Sequence, residues 1–212
     1  MQESSIHLFE FDKSFHKIII GTDEAGRGPG AGGVFAAAVH FNKITDGLIK
    51  DLAILNDSKK LTSQKRDSIY DVIKNNTINH VVCIEVGEIE EINILNASLK
   101  AMNLACSKVN QIIGEKTLTL VDGNKLIKNY IFPQQYIIKG DSKSASIAGA
   151  SILAKVTRDR YMEKLDEEYP MYNWRKNAGY LTAQHLTAID KYGLSPYHRP
   201  SFLKKHFEKV TK

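Results

Sequence analysis

The sequence predicts an α/β fold, a mixed central sheet flanked by helices and followed by a small C-terminal helical segment. Three observations carry this. Apolar runs of strand length come first and then alternate with segments of helical period. Within residues 88–113, Ile92, Leu95, Leu99, Met102, Ala105, Val109 and Ile112 recur at three- and four-residue steps, the stripe of an amphipathic helix. From Ser142 onward the small residues Ala145, Ala148, Gly149, Ala150 and Ala154 mark a helix whose backbone lies close against a sheet.

Taken in order, Ile18, Ile19 and Ile20 form an apolar run that ends at Gly21, and residues 33–41 (GVFAAAVHF) form a second; the two are expected to pair. Between them, four glycines and a proline within residues 26–32 preclude a regular element. A helix is expected over 62–75, capped by Thr62 or Ser63, then a strand over 80–86 (HVVCIEV) and the helix over 88–113. Short strands at 118–121 and 136–138 end in Asp122-Gly123 and Lys139-Gly140-Asp141. The small-residue helix continues towards Tyr169 and stops at Pro170, and a last helix spans about 182–192 before Gly193. The organisation is an N-terminal extension (1–16), a main domain (17–193) and a basic C-terminal segment (194–212).

Composition narrows the class. The chain has 212 residues, 42% hydrophobic and 25% charged, which excludes disorder and fibrous repeats. Cys83 and Cys106, too few and too far apart for a disulfide framework or a zinc pair, point to a reducing compartment. Residues 1–17 hold no apolar signal core and no window resembles a membrane span, so a soluble, cytoplasmic protein without a membrane partner is expected. A net charge of +5 permits an anionic partner without identifying one.

The chemistry gathers at three places where an apolar strand gives way to acid: Asp23-Glu24, Asp122 and Asp141. Ligands collect beyond strand ends in open α/β sheets, so these carboxylates can converge. Each also has an ordinary explanation: Asp122-Gly123 is a turn dipeptide, Asp141 a helix cap, Asp23-Glu24 solvated charge. Together, four carboxylates would repel one another unless a cation sat among them, and oxygen-only ligands favour Mg²⁺ or Mn²⁺. Two such ions about 3.5–4 Å apart would clamp an in-line phosphoryl displacement without a protein nucleophile. Gly26-x-Gly28-x-x-Ala31 matches a loose dinucleotide-binding fingerprint, but Asp23 and Glu24 would set two charges beside a pyrophosphate, and Val34-Phe35 resembles a strand more than a helix opening. The phosphate loop GxxxxGK[ST], the GxSxG elbow and HExxH are all missing. Arg27, between two glycines, is either a surface turn residue or aimed at a phosphate or ribose.

With these residues in view, the chain resembles the bacterial ribonuclease HII family. The likeness runs from about Ile19 to Phe202 through GTDEAGRGPGAG (21–32), LNDSKKL (55–61), NILNASLKAM (93–102), VDGN (121–124), KGDSKSASIAGASILAKVTRD (139–159), GYLTAQH (179–185) and HRPSF (198–202). The resemblance implies a ribonuclease H-like fold and an endoribonuclease that cuts the RNA strand of RNA–DNA hybrids. It also implies nicking 5′ of single ribonucleotides in duplex DNA, leaving 3′-hydroxyl and 5′-phosphate ends. It implies that Asp23, Glu24, Asp122 and Asp141 hold Mn²⁺ or Mg²⁺, two ions when substrate is bound. Gly26, Arg27 and Gly28 would read the ribose 2′-hydroxyl, and Tyr180 would pack on the sugar after the scissile position.

Ser58, Lys59 and Lys60 match a loop expected to touch the phosphate backbone, and Ser142, Lys143, His198 and Arg199 are expected to flank the site. The lysines read equally as solvated charge, and Ser142 as a helix cap. Lys155 and Arg158 read equally as one charged helix face. Gly30 and Gly33 stand where the family commonly has leucine and proline, so a more flexible loop is expected. The resemblance further implies a monomer, with a sliding clamp as a possible recruiting partner through the C-terminal tail. From Arg199 to Lys212 five bases face one acid, which nearly accounts for the net charge and suits a segment lying along duplex backbone. A non-catalytic hybrid-binding module and a dinucleotide enzyme are the competing readings.

Overall fold

The computed structural model describes residues 5–55 and 62–210. At its centre is a five-stranded mixed sheet in the order β3-β2-β1-β4-β5. The strands are β1 (Ile18–Ala25), β2 (Val34–His40), β3 (Ile78–Ile84), β4 (Thr117–Asp122) and β5 (Gln134–Ile137). β2 is antiparallel to β1 and β3, whereas β4 lies parallel to β1 and β5 parallel to β4. The expected pairing of the first two apolar runs is therefore the β1–β2 ladder.

The first strand is longer than its isoleucines suggest. It continues past Gly21 to Ala25, so Asp23 and Glu24 lie within it, paired with Ala37 and Ala36 of β2. The ladder decides where this strand ends: β2 offers backbone partners through Ala38, Ala37, Ala36 and Phe35, the last opposite Ala25, whatever side chains β1 carries there. Gly21 is needed where α6 (Ala145–Glu168) crosses, because a Cβ at that position would overlap the Ser146–Ile147 backbone.

Helices cover both faces. On one, α6 and α3 (Ser63–Asn76) pack over Ala37 and Val39. On the other, α5 (Ile94–Ile113) buries Ala97, Ala101, Met102, Ala105 and Val109 against Ile20, Val34, Ala36 and Val121. The expected single helix over 88–113 is two, α4 (Val86–Ile92) and α5, because Asn93 adopts φ 65° and ψ 161° and its side chain caps α5 by accepting from the Asn96 amide at 3.1 Å. The cap of α6 is Ser144, which accepts from the Ile147 amide; Ser142 lies in the preceding 3₁₀ turn.

Two terminal segments are part of the same body. Helix α1 (Ile6–Lys13), within the expected extension, buries Leu8 and Phe9; Phe9 packs edge-on against Phe41 at 5.1 Å. Asp12 accepts from the Ser146 amide at 2.8 Å, tying α1 to the first turn of α6. A short helix α2 (Asp46–Asp51), capped by Thr45, follows β2. At the other end, α7 (Trp174–Asn177), α8 (Ala183–Tyr192) and α9 (Pro200–Val210) gather round the C-terminal half of α6. Leu203 of α9 is fully buried with Met162, Tyr172, Trp174 and Ile189. Within the expected C-terminal segment, α9 is helical as expected but docks on this cluster, and within the expected N-terminal extension α1 is likewise packed on the body. No described helix is long and apolar enough to cross a membrane.

Candidate active site

The acids converge because β1, β4 and β5 are adjacent and parallel, so their C-terminal ends lie at one edge of the sheet. Thr22 of β1 is level with Val121 of β4, which places Asp23 beside Asp122, and Asp122 is in turn level with Ile137 of β5. Asp141 follows in the 3₁₀ turn Gly140–Ser142, whose Gly140 amide donates to Asp122 Oδ1 at 2.7 Å. Strand register thus brings Asp23 and Asp122, 99 residues apart in the chain, side by side, and the turn after β5 adds Asp141.

Their electrostatics follow from burial and crowding. Asp23 is buried, and desolvation together with the negative charges of Glu24 and Asp122 holds its carboxyl well above the usual carboxylate range, against hydrogen bonds from Ser151 and the Glu24 amide. Burial also raises Asp122, opposed by the Gly140 amide. Ser151 of α6, which the sequence does not single out, thus serves Asp23 from the facing helix. Glu24 is turned aside, accepting from Arg27 Nη1 at 3.0 Å. Among the described residues, no three acidic, histidine or cysteine side chains stand arranged as a ready cation cage. The donor set nonetheless fits a hard divalent cation. All its donors are carboxylate oxygens, and like charges are forced together at Asp23.

Around the acids, the glycine loop and the Tyr180 turn face each other. Arg27 is half-exposed beside Glu24, and the Tyr180 ring lies 3.3 Å from where a Cβ on Gly28 would stand. A cavity of about 320 Å³ is lined by Glu24, Gly26, Arg66, Ser151, Lys155 and Tyr180 among others. Ser142 and Lys143 are exposed next to Asp141. Ser58, Lys59 and Lys60 lie outside the described residues.

Several expectations are corrected here. Arg199 is fully buried and donates to the Gly32 and Pro29 carbonyls, so it lies behind the loop and presents nothing to a substrate. His198 is also buried, with Nδ1 accepting from the Ser195 amide at 2.9 Å and Nε2 facing His185 at 3.1 Å; burial and the His185 charge lower it to about 4. Arg158 is no surface charge, being 2% exposed beneath the same loop, which the two arginines hold where flexibility was expected. The signal that could have found both arginines is their position beside apolar and small residues, in ILAKVTRDRYM and HRPSFL. The glycine loop leads into strand β2, so no helix N-terminus stands behind it to receive a pyrophosphate, and the dinucleotide reading falls.

Comparison with known proteins agrees with this architecture. The sequence model of the family described as Ribonuclease HII matches residues 20–210. Ribonuclease HII of Fusobacterium nucleatum is 46% identical over 98% of this chain and 94% of that protein. Among solved structures, ribonuclease H2 from Pyrococcus horikoshii OT3 superposes with a TM-score of 0.74 and 25% identity over 92% of this chain and 99% of that one. The PCNA:RNase HII complex from Archaeoglobus fulgidus matches with a TM-score of 0.70 and 21% identity over 86% of this chain and 93% of that one.

Proposed function

The chain belongs to the ribonuclease HII family, a family of endoribonucleases, and on that premise we propose that it cuts the RNA strand of RNA–DNA hybrids and nicks duplex DNA 5′ of single embedded ribonucleotides. The products carry 3′-hydroxyl and 5′-phosphate ends. The observation that carries the reading is the edge of the sheet where Asp23, Asp122 and Asp141 meet beside the paired glycine loop and Tyr180 turn.

Asp23, Glu24, Asp122 and Asp141 would hold Mg²⁺ or Mn²⁺, two ions with substrate in place. Bound divalent ions supply activation of water and neutralisation of charge at the phosphate. The chain's own part is positional. Asp23 and Asp122 are set by adjacent strands, with Ser151 and the Gly140 amide orienting their oxygens. Glu24 must leave Arg27 to join them. An exposed pair of this kind is worth less than about 1 kcal/mol, so it opens readily and frees the guanidinium for the ribose. The backbone of Gly26 and Gly28 approaches the 2′-hydroxyl, the group that separates RNA from DNA, while Tyr180 offers its ring to the next sugar. Ser142 and Lys143, exposed beside Asp141, and Ser58, Lys59 and Lys60 are assigned to the phosphate backbone. A sliding clamp is a candidate partner, a reading in line with the PCNA:RNase HII complex of Archaeoglobus fulgidus, and the C-terminal segment is assigned as the point of contact.

The test is a cleavage assay on an all-RNA hybrid, a DNA duplex with one ribonucleotide and an all-DNA duplex, with Mg²⁺ and Mn²⁺ in parallel. The first two substrates should be cut and the third spared. Asp23→Asn or Asp122→Asn should lower cleavage by about a thousandfold or more with circular dichroism unchanged. Full activity in either variant would sink the assignment, and binding of hybrid that ignores divalent ions would favour a non-catalytic binding module.

A further inference from the structure

We propose that Arg158 and Arg199 are positioning residues that fix the gap between the 26–33 loop and the Tyr180 turn, and thereby set the preference for a lone ribonucleotide over continuous RNA. The inference rests on the reading of Gly26, Arg27, Gly28 and Tyr180 as the groups that sense sugars.

Arg158, from the middle of α6, spans both loops. Its Nε donates to the Gly33 carbonyl at 3.2 Å and Nη2 to that of Ala31 at 3.0 Å, while Nη1 reaches across to Ala178 at 3.0 Å. Arg199, entering from the start of α9, donates through Nε and Nη2 to the Gly32 carbonyl at 2.8 and 2.6 Å and through Nη1 to that of Pro29 at 2.9 Å. The backbone completes the joint, with Gly30 N–H donating to the Gly179 carbonyl at 3.0 Å and Arg199 N–H to that of Gly30 at 2.8 Å. The first sensing glycine, Gly26, has φ +98°, and a Cβ there would overlap the Arg158 guanidinium. Behind the Tyr180 turn, His185 Nδ1 bonds the Tyr180 carbonyl at 2.9 Å.

Neither guanidinium is ion-paired with a carboxylate among the described residues; both direct their donors to main-chain carbonyls. Stability alone favours well-packed apolar groups over a buried charge. A planar fork with donors at fixed angles does something an apolar group cannot: it dictates where five carbonyls from two loops stand relative to each other. The gap so set is the one between Gly28 and the Tyr180 ring. A lone ribonucleotide needs both loops at once, the first for its 2′-hydroxyl and the second for the following deoxyribose. In continuous RNA the following sugar carries its own hydroxyl, and the second contact contributes less. Loosening the joint therefore weighs on one substrate more than on the other.

The experiment uses Arg158→Lys, which keeps the charge but not the fork, in the full chain. Steady-state cleavage is measured on the one-ribonucleotide duplex and the all-RNA hybrid. Emission of Trp174, the sole tryptophan, which is buried and bonded to His185, reports the local fold. The ratio of kcat/KM on the first substrate to that on the second should fall about tenfold or more, the scale of a lost hydrogen bond to a charged group. An unchanged ratio, or an equal loss on both substrates, would overturn the proposal in favour of a purely structural role. Should Arg158→Lys lose the Trp174 signature, Gly179→Ala decides by the same ratio, since its Cβ would stand 2.6 Å from the Ala31 carbonyl oxygen and wedge the loops apart. Wild-type protein that cuts neither substrate would instead refute the assigned function, and this proposal with it.

Discussion

At Asp23 a strand residue with a buried carboxyl depends on its neighbours for both placement and charge; at His198 the same dependence takes an acid-sensitive form. Trp174 Nε1 donates to His185 Nε2 at 3.0 Å, so the proton of His185 sits on Nδ1, towards the Tyr180 carbonyl. Ser195 donates its amide to His198 Nδ1. Both imidazoles are neutral by burial and mutual repulsion, with His198 lowered to about 4 and His185 lowered as well. The unfolded chain takes up protons near the ordinary value of 6.5, before the folded chain does. The contribution of His198 to stability is therefore fully present above about pH 6.5 and is lost as pH falls towards 4, by up to about 1.4 kcal/mol per pH unit, with His185 acting in the same direction. Thermal unfolding followed by Trp174 emission should show a midpoint that drops between pH 7 and pH 5, and His198→Asn should flatten that dependence. His185 and His198 stand in separate motifs of the sequence, and Trp174 and Ser195 lie in neither. Nothing in their spacing showed that they would touch, because contacts among residues 174, 185 and 198 depend on how three short helices pack.

Among the elements, the strands and the long patterned helices were legible, whereas the short helices α1, α2 and α7 were not. The stripe of α5 and the small residues of α6 could be read directly, since each pattern reflects one large face packed on the sheet. Helix α1 could not: eight residues, IHLFEFDK, form a helix because Leu8 and Phe9 join an apolar cluster that includes Phe41 and because Asp12 accepts from the buried Ser146 amide in the first turn of α6. The break at Asn93 is similar, since its side chain caps α5 only once the backbone has turned. Phe9, buried against Phe41, makes α1 integral to stability. Phe9→Ala should lower the free energy of unfolding by about 3–5 kcal/mol in urea denaturation, a loss that a dispensable extension would not show.

For the molecule as a whole, the question is where the net charge of +5 resides. The sequence count assigns most of it to the tail, but Arg199 belongs to the interior, committed to the Pro29 and Gly32 carbonyls. What the tail displays includes Lys204 and Lys205, exposed on α9 beside the anchoring Leu203. If duplex backbone lies along this helix, Lys204→Gln with Lys205→Gln should reduce the slope of log affinity against log salt by up to about 0.9 per lysine while leaving kcat unchanged. Fluorescence anisotropy with a labelled duplex across a salt series measures it. An unchanged slope would place the backbone elsewhere.

By itself the sequence determined the α/β class, the order of the principal elements and the acids at strand ends, because these are written in local periodicity and in residue type at a strand's end. Only the tertiary structure decided that Asp23 and Asp122 stand side by side, that two arginines lie beneath the glycine loop, and that α1 and α9 are built into the body. Register, burial and hydrogen-bond partnership are properties of pairs of segments. A single segment carries a pattern for its own face, but the partner that makes an arginine interior or an aspartate crowded is supplied from elsewhere in the chain.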